Sequence, residues 1–220
     1  MRRIFNFLAD VAAHNDREWF AAHRAAYDEA QALFAEKVGE LIGMLARFDE
    51  TVAHVEVKQT LYRFYRDTRF SPDKSPYKRH FGAYINAQGK KSIHGGYYLH
   101  LQPGNSMVAG GDYCLPGPVM KAVRRSIVEQ PDAYRAILER PEFKALFPVV
   151  GSESLKVRPA GFPADFPYPE LLKPKDFSVA HALPDNFFTD SSDWTQQVAE
   201  MFCTMKPFLD FINETVDDFL

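Results

Sequence analysis

The spacing of apolar positions changes twice along the chain, and each change marks a different kind of element. Residues 4–13 read as a short helix ending near His14. Asn15 follows as an N-cap, with Glu18 three residues on as its reciprocal partner. A long helix is expected from there to about Arg47. On it Phe20, Tyr27, Phe34, Leu41 and Phe48 recur every seven residues, with Val38 and Leu45 beside them. This is the apolar stripe of a core-facing amphipathic helix, since the flanking charges lack the regular pairing of a coiled coil. Gly39 and Gly43 weaken the helix and leave room for close packing.

The middle of the chain has a period of two. Leu61 to Arg66 alternates, with Tyr62, Phe64 and Arg66 on one face. Phe81, Ala83 and Ile85 alternate again, and so do Tyr97, Leu99 and Leu101, with Tyr98 and His100 opposite. Ser106 to Ala109 gives a fourth short strand, and turns at Ala87–Lys90 and Pro103–Asn105 join these runs into an antiparallel meander. Helical spacing then returns. Pro118, Pro131 and Pro141 each suit a first helical turn. Six prolines between Gly151 and Pro184 break the chain into an irregular segment, with short strands expected at 155–158 and 177–181. A segment this long is expected to wrap the surface or cover a cleft. A final helix runs from about Asp193, with Pro207 expected to kink or split it. The fold class this predicts is α+β: an antiparallel β meander packed against long N- and C-terminal helices, as a single domain over residues 1–220.

Composition adds little to that picture, but charge distribution adds a place. The 220 residues are 46% hydrophobic and 25% charged, which is globular composition with enough chain for a full core. The net charge is −3, yet the window Lys58–His80 alone is +5 and the remainder −8. The last eleven residues carry four acids and no base. The short patch and acidic remainder argue against nucleic acid. Two cysteines, Cys114 and Cys203, suit a reducing compartment. Asn6 and Asp10 interrupt the first apolar run too early for a signal peptide, and no stretch is long and apolar enough to span a membrane. A cytoplasmic location is the expectation.

Chemical motifs are mostly absent. No His-x3-His, Cys-x2-Cys, Gly-x-Ser-x-Gly or phosphate-binding glycine loop occurs, so no metal or cofactor is expected and no catalytic nucleophile is identified. The positive signal is the run from Arg63 to His80. Ser71-Pro72-Asp73-Lys74 has type I turn chemistry, and Ser75-Pro76-Tyr77-Lys78 repeats it. A stiff double turn would thus present Arg63, Arg66, Arg69, Lys74 and Lys78, with Tyr77 for shape. Arginine forks suit phosphate or carboxylate. Tyr98 and His100 share a strand face, and with His80 and Tyr84 they could line one surface, His100 serving for proton transfer. These residues are the candidate ligand-binding set for an anionic small molecule, whether in an enzyme or a binding protein. Two competing readings stay open. Asp67 and Asp73 can pair with the arginines and make the loop a structural brace. The loop can instead meet an acidic surface, of a partner or of a second copy in a homodimer.

Three blocks carry a family resemblance: Asn15-Asp16-Arg17-Glu18-Trp19-Phe20; Arg66-Asp67-Thr68-Arg69-Phe70-Ser71 with Asp73-Lys74-Ser75-Pro76-Tyr77-Lys78; and Gly96-Tyr97-Tyr98-Leu99-His100-Leu101. With Leu171-Leu172-Lys173 and Asp176-Phe177 later on, the chain resembles the bacterial and fungal DUF2461 family over nearly its whole length. The resemblance implies a single cytoplasmic domain. It brings no reaction, cofactor or catalytic residue with it.

Overall fold

The computed structural model describes residues 1–220. Its first helix, α1 (Arg2–Ala13), buries Ile4, Phe5, Phe7, Leu8 and Val11 and stops at His14, where the spacing placed its end. The next residues depart from expectation. Asp16, not Asn15, caps α2 (Arg17–Ala22), its Oδ1 accepting the Trp19 N–H at 2.8 Å. The expected long helix is two helices because His23 ends α2. Its Nδ1 lies 2.8 Å from the Trp19 carbonyl oxygen, and its ring stacks on Trp19 at 4.1 Å. α3 (Arg24–Leu45) continues the stripe, burying Tyr27, Phe34, Val38, Leu41 and Leu45. A short α4 (Val57–Thr60) precedes the sheet.

Strands β1 (Phe81–Ile85), β2 (Gly96–Leu101), β3 (Ser106–Asp112) and β4 (Phe177–Leu183) pair antiparallel in sequence order. The expected period is visible: Phe81, Ala83, Ile85, Tyr97, Leu99 and Leu101 are all buried. Residues 61–66, expected as a strand, are not one. Leu61 bridges Ala83 of β1, and the chain then leaves β1 and pairs through Tyr65 with Tyr77. The change of partner breaks the alternation, so Phe64 is buried while Tyr62 and Tyr65 are exposed. The second expected turn, Ser75–Lys78, is likewise extended, since the Lys78 N–H donates to the Phe64 carbonyl at 2.9 Å.

Three proline-led helices follow β3: α5 (Gly117–Glu129), α6 (Pro131–Leu138) and α7 (Pro141–Leu146). The irregular segment behind them forms β4 as expected, but no strand at 155–158, where only Ser154 bridges Pro174. It is fastened to α5 by Arg124, which donates to the carbonyls of Leu172 and Pro174 at 2.9 and 2.8 Å. After α8 (Asp185–Thr189), α9 (Trp194–Phe219) runs unsplit through Pro207. An interior proline costs a helix about 3 kcal/mol. Phe202, Met205, Phe208, Leu209, Ile212 and Val216 are buried along α9. At about 2 kcal/mol for each such side chain, their burial outweighs that cost. No helix is long and apolar enough to cross a membrane.

Contacts divide the chain into two compact units. The first comprises Met1–Lys90, Tyr98–Val108 and Ala182–Ala199; the second comprises Lys91–Tyr97, Ala109–His181 and Glu200–Leu220. The chain passes from one to the other inside β2, β3, β4 and α9. In the first unit the core is an aromatic cluster in which Phe7, Tyr27, Phe34 and Phe64 surround Phe81 at ring distances of 5.3–6.3 Å. In the second, Tyr134, Phe143 and Phe208 pack together, and Tyr97 meets Phe202 at 5.1 Å. Gly111 of β3 has a φ of +98°, and a Cβ there would lie 2.1 Å from the Phe177 carbonyl oxygen, so only glycine permits this approach. Ser92 donates to His94 Nδ1 at 2.7 Å, and His94 Nε2 donates to Asp217 at 2.8 Å. The order resembles a serine nucleophile chain. Here, however, Ser92 Oγ also accepts the His94 N–H in a local turn, and the Asp217 side chain is 68% exposed. The chain fastens the segment before β2 to α9, as Asn213 does by bonding Gly95 in both directions.

Asp112, at the end of β3, is buried with Oδ2 lacking any hydrogen-bond partner, and desolvation pushes its carboxyl up to about 7. An unfolded aspartate titrates near 3.9. The folded chain therefore holds a proton that the unfolded chain has lost, and the stability this brings is complete below pH ~4 and lost as pH rises through about 7. Asp112→Asn is expected to melt higher than the parent at pH 8 and to flatten the loss of stability between pH ~4 and ~8. Thermal melts of both proteins across that range check this, and parallel profiles would refute it.

Candidate functional site

The basic loop hangs on one side chain. Asn15 Nδ2 donates to the Tyr77 carbonyl, and Asn15 Oδ1 accepts the Tyr77 N–H, both at 3.0 Å. This pairing is why Asn15 is not free to cap α2. The Tyr77 ring, expected to shape a ligand site, is 4% exposed and stacks on Phe20 at 4.0 Å. Its hydrophobic contact anchors the loop to the core of the first unit.

The cations of the loop separate into two groups. Arg66 is a brace: it pairs with Asp73 at 2.6 Å and donates to Ser71 Oγ and to the carbonyl and hydroxyl of Ser75. Hydrogen bonds from Ser75 and Arg66 hold the Asp73 carboxyl down at about 2. Arg69 pairs with Asp67 at 2.7 Å, and the ammonium of Lys74 donates to the Thr68 carbonyl at 2.9 Å. An open cleft of about 840 Å³ runs beside these residues, lined among others by Arg17, Tyr65, Arg66, Thr68 and Lys74. Of its cations only Arg17 is without a hydrogen-bonding or ionic partner.

The second group lies on β1, β2 and the segments beside them. Lys78 and Lys90 place their ammonium groups 5.2 and 5.4 Å from the centre of the Tyr62 ring. Lys90 also donates to the Leu61 carbonyl. Neither lysine has a carboxylate partner; Arg63 forms no ion pair, though its charge helps to lower the Asp67 carboxyl. Burial lowers the pKa of both lysines, and for Lys78 the charges of Arg63 and Lys90 lower it further. Tyr62 meets Tyr98 edge to face at 6.1 Å. His100 Nε2 donates to Gln102 Oε1 at 3.2 Å, which leaves Nδ1 to accept the Tyr98 hydroxyl at 2.9 Å. Burial raises the Tyr98 phenol to about 12 and lowers His100. His80 lies over His100 with ring centres 4.2 Å apart. Burial, then His100 and Lys78, push His80 down to about 4, so it is neutral at pH 7. A Cβ on Gly82 would sit 2.9 Å from the Tyr98 hydroxyl, so the phenol crosses β1 only because residue 82 has no side chain. This group is cationic and half-buried, and no carboxylate pairs with its lysines. No cluster of three or more His, Cys, Asp or Glu is placed to hold a metal ion, and Cys114 and Cys203 are exposed free thiols.

A family profile described as a conserved hypothetical protein, DUF2461, matches residues 3–211. The chain belongs to the DUF2461 family. Neither curated proteins nor solved structures give a match. The structure thus has to carry the functional reading of this DUF2461 protein by itself. Of the residues singled out in the sequence, Lys78, Tyr98 and His100 come together with His80. Arg66, Arg69 and Lys74 are bonded within the loop, and Tyr77 is in the core. The sequence reading missed Tyr62 and Lys90. The signal for Lys90 was its place in the β1–β2 turn, which returns it beside residue 61.

The anchor and the surface pair should differ sharply in effect. Asn15→Ala removes both partners of the part-buried Tyr77 backbone and is expected to cost about 2 kcal/mol of stability, the scale of stranded buried polar groups. Arg69→Ala breaks an exposed ion pair and a cation–π contact with exposed Phe70, and should leave stability nearly unchanged. Urea unfolding of both variants tests this; equal losses would mean that Asn15 is not the anchor.

Proposed function

We propose that this protein binds a small molecule bearing a phosphate or carboxylate, and that the anion sits among Lys78, Lys90 and His80 on the face carrying Tyr62 and Tyr98. One observation supports this most directly: two half-buried ammonium groups flank a single tyrosine ring, with no carboxylate to balance them. Cation–π contact offsets about 1 kcal/mol for each. It leaves the mutual repulsion of the two charges in place, and an anion would relieve it. The same reasoning excludes Arg66 and Arg69 as the principal anion donors, because Asp73 and Asp67 already neutralise them. The fixed tautomer of His100 holds the Tyr98 hydroxyl in place at the edge of the site, where its oxygen retains lone pairs for a ligand donor.

A ligand that binds only the folded state raises the melting temperature with its occupancy. Phosphate, sulfate, sugar phosphates and dicarboxylates are to be screened by thermal shift against four proteins: the parent, Lys78→Met, Lys90→Met and Arg69→Ala. The expected result is a saturable shift in the parent and in Arg69→Ala, strongly reduced in both lysine variants. A shift lost in Arg69→Ala but kept in the lysine variants would move the site to the loop tip. The absence of any shift would overturn the anion reading.

A further inference from the structure

Resting on that reading, we infer that the site takes a dianion, the terminal phosphate of a phosphomonoester, and that His80 gains a proton as the dianion binds. Charge matching is the first argument. Lys78 and Lys90 bring two positive charges to one tyrosine ring with no acid near them. A carboxylate would balance one of them; a phosphomonoester, which carries nearly two negative charges at neutral pH, balances both.

The proton follows from which nitrogens are free. Both ring nitrogens of His100 are engaged, one accepting from Tyr98 and the other donating to Gln102. His100 can gain a proton only if the Tyr98 hydroxyl turns from donor to acceptor. His80 makes no hydrogen bond and is only half-buried, so both its nitrogens remain open to a ligand oxygen. The groups facing it are His100 from β2 and Lys78 from its own segment, and the charges next to Lys78 are those of Arg63 and Lys90. None of these is an acid, so in the empty site every neighbouring charge opposes protonation. A bound dianion touching the imidazole makes the nearest charge a negative one, and that contact favours protonation. The imidazole then accepts a proton and donates it in a charge-assisted hydrogen bond to a phosphate oxygen. His80 is thereby a binding group whose charge depends on occupancy.

Three probes separate the parts of this inference. Sulfate stays a dianion across the range studied and so contributes no proton of its own; phenyl phosphate and benzoate share a ring and differ in charge. Affinity for sulfate is expected to rise about ten-fold per pH unit as pH falls over the range where His80 is neutral when free and charged when bound. Titration of the His80 ring proton by NMR should show its pKa raised by sulfate in the unmutated protein. His80→Gln should still bind sulfate at pH 7 but lose the pH dependence. At pH 7 phenyl phosphate should bind at least ten-fold tighter than benzoate. A pH-independent sulfate affinity, an unmoved His80 titration, or an unchanged slope in His80→Gln would overturn the proton uptake while leaving the anion site standing. Benzoate binding as tightly as phenyl phosphate would overturn the dianion. If none of the three binds at any pH, the anion site itself is wrong.

Discussion

The two hydrogen bonds between Asn15 and the backbone of Tyr77 are the constraint on which the first unit's chemistry depends. They join the short segment between α1 and α2 to a position 62 residues away and present Tyr77 to Phe20. With Tyr77 fixed, Pro76 can accept from Arg66 and Lys78 can donate to Phe64, so a short ladder closes the loop. The ladder in turn sets the direction in which the next residues leave. Lys78 and His80 are delivered to the sheet face, and Asp67 to Ser75 are left to satisfy one another.

That division explains why a dense run of basic residues does not act as one patch. Arginine at 66 is surrounded by acceptors from its own loop, and its fork holds the turn closed. Beyond the ladder no acid follows, and the lysines meet an aromatic ring in place of a carboxylate. Similar charges thus have opposite roles a few residues apart, according to whether the backbone brings an aspartate or a tyrosine beside them.

The elements with a single partner were legible in the sequence. α1, β1, β2 and the proline-led helices needed only a repeating pattern and a terminator, and both are local. The misread positions are those where a contact with a distant part of the chain overrides the local signal. Asn15 had the sequence context of a cap, but a distant backbone claims it, and Asp16 serves in its place. Residues 61–66 alternate like a strand yet share their pairing between β1 and residues 76–78. Pro207 signals a break that buried contacts along α9 override. For the site, Lys78, Tyr98 and His100 could be named because strand alternation places Tyr98 and His100 together. Tyr62 and Lys90 could not, since their meeting depends on where the chain leaves β1.

Gly82 gives the site one more property. The Tyr98 phenol occupies the volume that a side chain on β1 would fill. The hydroxyl's position is therefore set by a missing group on the neighbouring strand as well as by its bond to His100. A single methyl at residue 82 would push the ring aside while leaving every polar atom of the site in the molecule. Form and chemistry can thus be separated here by one carbon atom, which makes Gly82 a lever for altering the shape of the site without altering its charge.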